Sequence, residues 1–155
     1  MATLTKLPNA QTVLSAVFDF SYNDTMVNTS GDSVALGELT SGSNTVFDII
    51  TLPPNAVVIG GRVIVVTAFN STANTIDIGD SDDTDRYTET GAINLQDPDA
   101  PATGFDMLGD GKVYAGNQNI RITLDNTVAA ATAGRAIVVV NYVVSGRATE
   151  NVKTT

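Results

Sequence analysis

Apolar and polar side chains alternate with a period of two along most of the chain. Leu14, Ala16, Phe18, Phe20 and Tyr22 fall on one side of such a pattern, with Ser15, Val17, Asp19 and Ser21 on the other. A strand places successive side chains on opposite faces, so this stretch predicts a half-buried β-strand. Residues 46–52 (VFDIITL) predict a second strand, stopped by Pro53 and Pro54. Residues 56–69 (AVVIGGRVIVVTAF) are long and nearly all apolar, and Gly60-Gly61 predicts a bulge, a bend or a split into two strands. Residues 74–79 (NTIDIG) alternate again, with Ile76 and Ile78 opposite Asp77, as do 119–125 (NIRITLD) through Ile120, Ile122 and Leu124. The last long strand is predicted at 135–147 (RAIVVVNYVVSGR), which is β-branched almost throughout.

Shorter strands are expected at 33–37, 85–88 and 112–115. Turn-forming clusters such as NTSGD, TSGSN, LPPNA, FNSTAN, LGDGK and AGNQN separate the strands. No segment has a convincing 3.6-residue period. Residues 92–97 (AINLQD) suit one helical turn, and the alanine-rich 127–134 lacks a polar face and reads as a loop. Roughly eight short-spaced strands predict an all-β fold, a single jelly-roll-like antiparallel β-sandwich. Residues 1–12 read as an extended N-terminal arm, 13–147 as the sandwich domain and 148–155 as a short polar C-terminal tail.

Composition narrows the functional classes. The chain has 155 residues, 43% of them apolar, which suits one domain with a real core. Only 16% are charged, against roughly 25% in an ordinary soluble domain. The uncharged, β-branched polar remainder suits a β-rich protein that covers part of its surface with neighbours. The net charge is −9, from 17 acids and 8 scattered bases, which opposes binding to nucleic acid and to anionic membranes. With no Cys and no His, the chain has no disulfide, no Cys or His zinc ligand, no Cys nucleophile and no Ser-His-Asp triad. The N-terminus lacks the pattern of a signal peptide, and no run of about 18 apolar residues suits a membrane span, so synthesis in a cytosol is expected.

The stretch most like chemistry is Asp77–Tyr87 (DIGDSDDTDRY), with five acids in nine positions. Asp80, Asp82 and Asp85 have the oxygen chemistry of calcium ligands. An EF-hand beginning at Asp80 would need Gly at the sixth position and Glu at the twelfth, where the chain has Asp85 and Gly91. The competing reading is a solvated loop in which Asp80 or Asp85 bonds backbone amides as an Asx-turn and Arg86 neutralises part of the charge. A carboxylate-pair glycosidase is disfavoured, because Trp is absent and Glu is confined to Glu38, Glu89 and Glu150. LGDGK at 108–112 lacks the further elements of a P-loop, so Asp110-Gly111 reads as a hairpin turn. The sequons at Asn23, Asn28 and Asn70 carry no weight without a secretory signal. Phe18, Phe20, Phe47, Phe69, Tyr114 and Tyr142 have strand spacing and are expected in the core.

The order of TLPPNAVVIGGRVIVVTAFN, NTIDIGD, DRY and finally IVVVNYVVSGR, over residues 46–147, resembles small virion proteins of tailed bacteriophages. Some of these resemble capsid decoration, or cement, proteins, which are jelly-roll sandwiches on the outer shell. The resemblance implies a non-enzymatic protein of the capsid surface, without cofactor or metal, that binds the major capsid protein at capsomer junctions and stabilises the expanded head. It also implies self-association as a dimer or trimer. The arm would supply contacts through Leu4, Leu7 and Pro8, ordered against a neighbour. Two other readings are a tail, neck or fibre component of the virion and a calcium-dependent carbohydrate-binding sandwich.

Overall fold

A computed structural model describes residues 12–38, 45–71, 74–88, 93–97, 105–126 and 130–145. Among them are ten strands: β1 (Leu14–Ser21), β2 (Thr25–Val27), β3 (Ser33–Ala35), β4 (Thr45–Leu52), β5 (Ala56–Thr67), β6 (Asn74–Gly79), β7 (Ile93–Asn94), β8 (Phe105–Met107), β9 (Gln118–Asn126) and β10 (Arg135–Val144). There is no α-helix among the described residues; one 3-10 turn, Leu36–Glu38, follows β3. Two four-stranded antiparallel sheets run in the order β1-β10-β5-β8 and β4-β9-β6-β7, and β2-β3 form a separate two-stranded ribbon. With that ribbon set aside as an insertion, the eight remaining strands have jelly-roll order: consecutive strands cross between sheets, except β6 and β7, which pair within one, and the first and last pair along β1-β10.

Alternation explains the core. Phe47, Ile76, Ile78, Ile120 and Ile122 from one sheet and Phe20, Val58, Val63, Val138 and Val140 from the other are all at most 1% exposed and form one cluster. Each such side chain contributes roughly 1.5–3 kcal/mol of burial. Phe20 anchors an aromatic run, 5.7 Å from Phe18 and 5.9 Å from Phe69 between ring centroids. Phe47, Phe69 and Tyr114 are buried as expected, while Phe18 and Tyr142 pack against the core partly exposed.

Residues 56–67 form one strand, bulged rather than split. Val58 pairs with Tyr142 and Gly60 with Asn141, leaving Ile59 as the extra residue. Gly60 has φ 141°, a conformation that a side chain would strain. A second irregularity leaves Val66 between the pairs Val65–Ala136 and Thr67–Arg135.

Several short expectations need correction. Residues 85–88 form a turn: the Thr88 amide donates to the Asp85 carbonyl at 2.9 Å, and Arg86 reaches back to Asp80. Of residues 112–115 only Val113 is in a β-bridge, to Val57. Residues 93–97 hold β7 and a turn, not a helical turn: Ile76 pairs with Ile93, which is buried, as is Leu95. At 33–37 the strand ends at Ala35 and the 3-10 turn takes over. Asp110-Gly111 is not a hairpin turn. Met107 pairs with Gly61 and Val113 with Val57, so the chain on both sides of it follows the same strand, β5. The segment 108–112 is thus a loop interrupting one edge, with Gly111 at φ 71°. Nearly all of the predicted arm, with Leu4, Leu7 and Pro8, and the whole of the predicted tail lie outside the described residues.

Candidate functional site

The acidic loop begins where β6 ends. Gly79 closes the strand, and a Cβ there would lie 2.1 Å from the Asp83 carbonyl oxygen, so the loop can fold back over it only because the side chain is absent. The Asp80 amide donates to the Asp83 carbonyl at 2.8 Å, and the Tyr87 amide returns the chain to the Ile78 carbonyl at 2.9 Å.

Asp80 is the centre of this loop and is fully buried. Its Oδ1 accepts the amides of Asp82 (2.8 Å) and Asp83 (2.9 Å), the Asx geometry expected for a turn. Its Oδ2 accepts Arg86 Nε (2.7 Å), Lys112 Nζ (3.1 Å) and the Tyr114 hydroxyl (2.7 Å). The cations are shared outward: Arg86 with Asp110 (3.0 Å) and Lys112 with Asp82 (2.8 Å). The ammonium of Lys112 also lies 5.0 Å from the centre of the Tyr114 ring. The Tyr114 and Tyr87 hydroxyls bond each other, and the Tyr87 carbonyl accepts the Leu108 amide at 2.9 Å. The cluster therefore ties the end of β6, in one sheet, to the edge loop beside β5 and β8 in the other.

Electrostatics follow from these contacts. Burial pushes the Asp80 carboxyl up, but hydrogen bonds from Tyr114, the Asp82 amide, Lys112 and Arg86 outweigh it and hold the group far below the ordinary carboxylate range. Burial and the hydrogen bond with Tyr87 push Tyr114 well up, and burial pushes Tyr87 up to about 12. Asp83 is raised, chiefly by a hydrogen bond shared with Asp85.

This arrangement bears directly on the chemistry suggested by the sequence. A carboxylate has about four lone-pair sites, and five donors already surround those of Asp80. Arg86 and Lys112 sit where a calcium ion would have to bind, so the loop is closed by the protein's own cations. An acid held ionised and buried in this way cannot exchange protons with a substrate near neutral pH. The loop is an internal clasp. It departs from the solvated reading in one respect: Asp82 is exposed to water, but the residue that organises the loop is not.

Sequence reasoning placed Arg86 beside these acids and missed Lys112 and Tyr114. They lie 32 and 34 residues beyond Asp80, and only the jelly-roll crossing brings them to it. A recess of about 280 Å³ is lined by Tyr22, Asn23, Ala35, Gly37, Ala130 and Ala131 and brings no charged side chains together.

Neither a protein-family model nor a curated protein matches the chain. Solved structures do. A chain of the cyanophage Pam1 capsid asymmetric unit superposes with a TM-score of 0.57 at 20% identity, over 92% of this chain and 94% of that one. The fold is shared with chains of phage capsids. A chain in the acid-stable capsid of the Helicobacter pylori bacteriophage KHP30 superposes with a TM-score of 0.57 at 16% identity, over 86% of this chain and 90% of that one. A chain in the capsid of Ralstonia phage GP4 gives 0.51 at 13% identity, over 94% and 92%. Each likeness spans nearly the whole of both chains, so the shared unit is the complete sandwich and not a local motif.

Proposed function

We propose that this chain is a structural component of a bacteriophage capsid, acting as a decoration or cement protein that binds the outer shell. The observation that carries the reading is the near-complete coverage of both chains in the matches to three phage capsids. The site geometry supports it, because the one cluster that looked chemical is occupied in holding the two sheets together. In this role the protein sits at junctions between copies of the major capsid protein and adds buried contact area after the shell expands. Many copies on a symmetric lattice make modest individual contacts sufficient. The N-terminal residues 1–12, through Leu4, Leu7 and Pro8, are proposed to dock on a neighbouring subunit.

Imaging of the phage particle that contains this chain tests the reading. Density for the sandwich on the outside of the head, in copy number proportional to the capsid lattice, is expected. A few copies with cyclic symmetry at the neck, tail or fibres would overturn it. The role of the arm is tested separately. A chain lacking residues 1–12 should fold and yet occupy purified expanded shells less than the full chain; equal occupancy would refute docking by the arm.

A further inference from the structure

Ser15, Asn141 and Gly60 form a row that divides the outward face of β1-β10-β5-β8. Beyond it, at the end of the sheet where β10 finishes, Val143 pairs with Val57 and Val57 with Val113, so three valines stand side by side. The bulge throws out Ile59 next to this row, 47% exposed. The edge loop 108–112 packs against it: a Cβ on Gly109 would lie 2.7 Å from the Ile59 carbonyl carbon. Leu108, which precedes that glycine, and Val113 are 54% and 52% exposed. The same edge loop is bound to the acidic loop. The Leu108 amide donates to the Tyr87 carbonyl, Asp110 holds Arg86 at 3.0 Å, and Lys112 holds Asp82 at 2.8 Å. This small apolar patch therefore has an acidic rim. The acids of the rim, Asp80, Asp82, Asp83, Asp85 and Asp110, stand against Arg86 and Lys112, a formal charge of −3.

We infer that the patch and its rim dock a cationic segment of the capsid protein, one that carries apolar side chains flanked by Lys or Arg. The inference rests on the capsid reading and names the chemistry by which this chain recognises the shell. Apolar area alone accepts any apolar partner, so charge selects the occupant. Exposed acids around an apolar contact attract cations and repel other acids. A second copy meeting this patch with its own would set one −3 rim against another, on chains that each carry −9, and like charges across an interface oppose such a contact. The rim has acceptors to offer a partner. A carboxylate has about four lone-pair sites, and Asp82, 66% exposed, accepts only from Lys112 at 2.8 Å and Ser81 at 3.3 Å. Arg86 and Lys112 are held by Asp80, Asp110 and Asp82, so they fix the rim in place without neutralising it. The partner's apolar side chains settle on Val113, Ile59 and Leu108 while its base reaches Asp82.

Titrating purified expanded shells that lack this chain with the purified full chain tests the inference. Wild-type affinity should fall as salt is raised. Leu108→Asp and Val113→Asp, both at exposed positions, should each weaken binding by about 10–100-fold with an unchanged β-sheet circular dichroism spectrum. Asp82→Asn combined with Asp83→Asn brings the rim to −1 and should both weaken binding and flatten its salt dependence. Val17→Asp, on the same sheet but across the Ser15–Asn141 pair, should bind like the wild type. Wild-type binding that the patch and rim substitutions leave unchanged, or that Val17→Asp weakens equally, overturns the inference and leaves the capsid reading standing. Shells that take up no wild-type chain overturn both. A purified chain whose oligomeric state in sedimentation equilibrium is changed by Val113→Asp makes a second copy the occupant and also overturns the inference.

Discussion

Replacing Asp80 by asparagine keeps the shape of the side chain and removes its charge. The amide oxygen can still accept the Asp82 and Asp83 amides at the Oδ1 position. The new NH2 group then points at Arg86, Lys112 and the Tyr114 hydroxyl, which all donate to Oδ2 in the wild type. The two bonds from the cations become clashes between donors, while the Tyr114 hydroxyl can turn to accept from the amide and donate to Tyr87. Breaking a buried ion pair from one side costs about 3–5 kcal/mol. Here the cations keep part of their solvation, with 20% of Arg86 and 28% of Lys112 exposed, and each retains a second acid, Asp110 or Asp82. That lowers the expected loss to about 2–4 kcal/mol, a large share of the 5–15 kcal/mol by which domains are ordinarily stable. For a chain of this size the melting temperature should fall by about 10 °C.

The assay is thermal and urea unfolding of Asp80→Asn beside the wild type and Asp82→Asn, whose carboxylate is 66% exposed and whose loss should cost under about 1 kcal/mol. The acid side gives a second, independent check. Asp80 has a folded pKa below its unfolded value near 3.9. Its stabilisation is therefore fully present above that value and is lost as pH falls through the folded pKa. The gap between wild type and Asp80→Asn should stay constant from neutral pH to about pH 5 and narrow only below about pH 4. A loss under about 1 kcal/mol for Asp80→Asn, or a gap that closes near neutral pH, would refute the clasp.

Three further outcomes are expected. Gly79→Ala puts a methyl group against the Asp83 carbonyl and should cost roughly 1–3 kcal/mol in urea unfolding by pushing the loop off β6; a neutral substitution would show that the loop yields freely. Tyr87, pushed up to about 12 by burial, stabilises the fold below its unfolded pKa near 10, and that contribution is lost as pH rises through about 12. Phenolate absorbance should therefore show Tyr87 ionising together with base unfolding, and ionisation well before unfolding would contradict its burial. Calcium at millimolar concentration should give no binding heat and no change in melting temperature, since Arg86 and Lys112 already hold Asp80; a heat that vanishes in Asp80→Asn would reopen the calcium reading.

The long strands were legible because their burial is local information. Residues 74–79 alternate in sequence, and β6 has those same bounds, with Ile76 and Ile78 inward. Of the short strands, only β3 was read, two residues too long. β2, β7 and β8 have two or three residues each, too few for a period to show, and they exist because a long neighbour offers them hydrogen bonds. DRYT and KVYA failed for a different reason. Arg86, Tyr87, Lys112 and Tyr114 look like strand residues, but their side chains are committed to Asp80 and to each other. The local half of the site, Asp80 with its own loop amides and Arg86, was open to sequence reasoning because all of it lies within seven residues of chain. The other half depends on strand order, which no single sequence displays.

That division explains how an acidic loop can stabilise a chain that is already acidic. Five carboxylates within nine residues should repel one another, and loop solvation alone only weakens that repulsion. The fold instead brings two of the chain's eight bases to the loop, one from within it and one from across the sandwich, onto the single carboxylate that is buried. Lys112 can reach Asp80 only when the edge loop 108–112 lies beside β5, and Val113 is fixed there by its bridge to Val57. Ion pairing and sheet closure therefore form together, so the clasp favours the closed jelly roll over partly assembled sheets. The acids that remain exposed, Asp82 among them, keep this corner of the molecule negative.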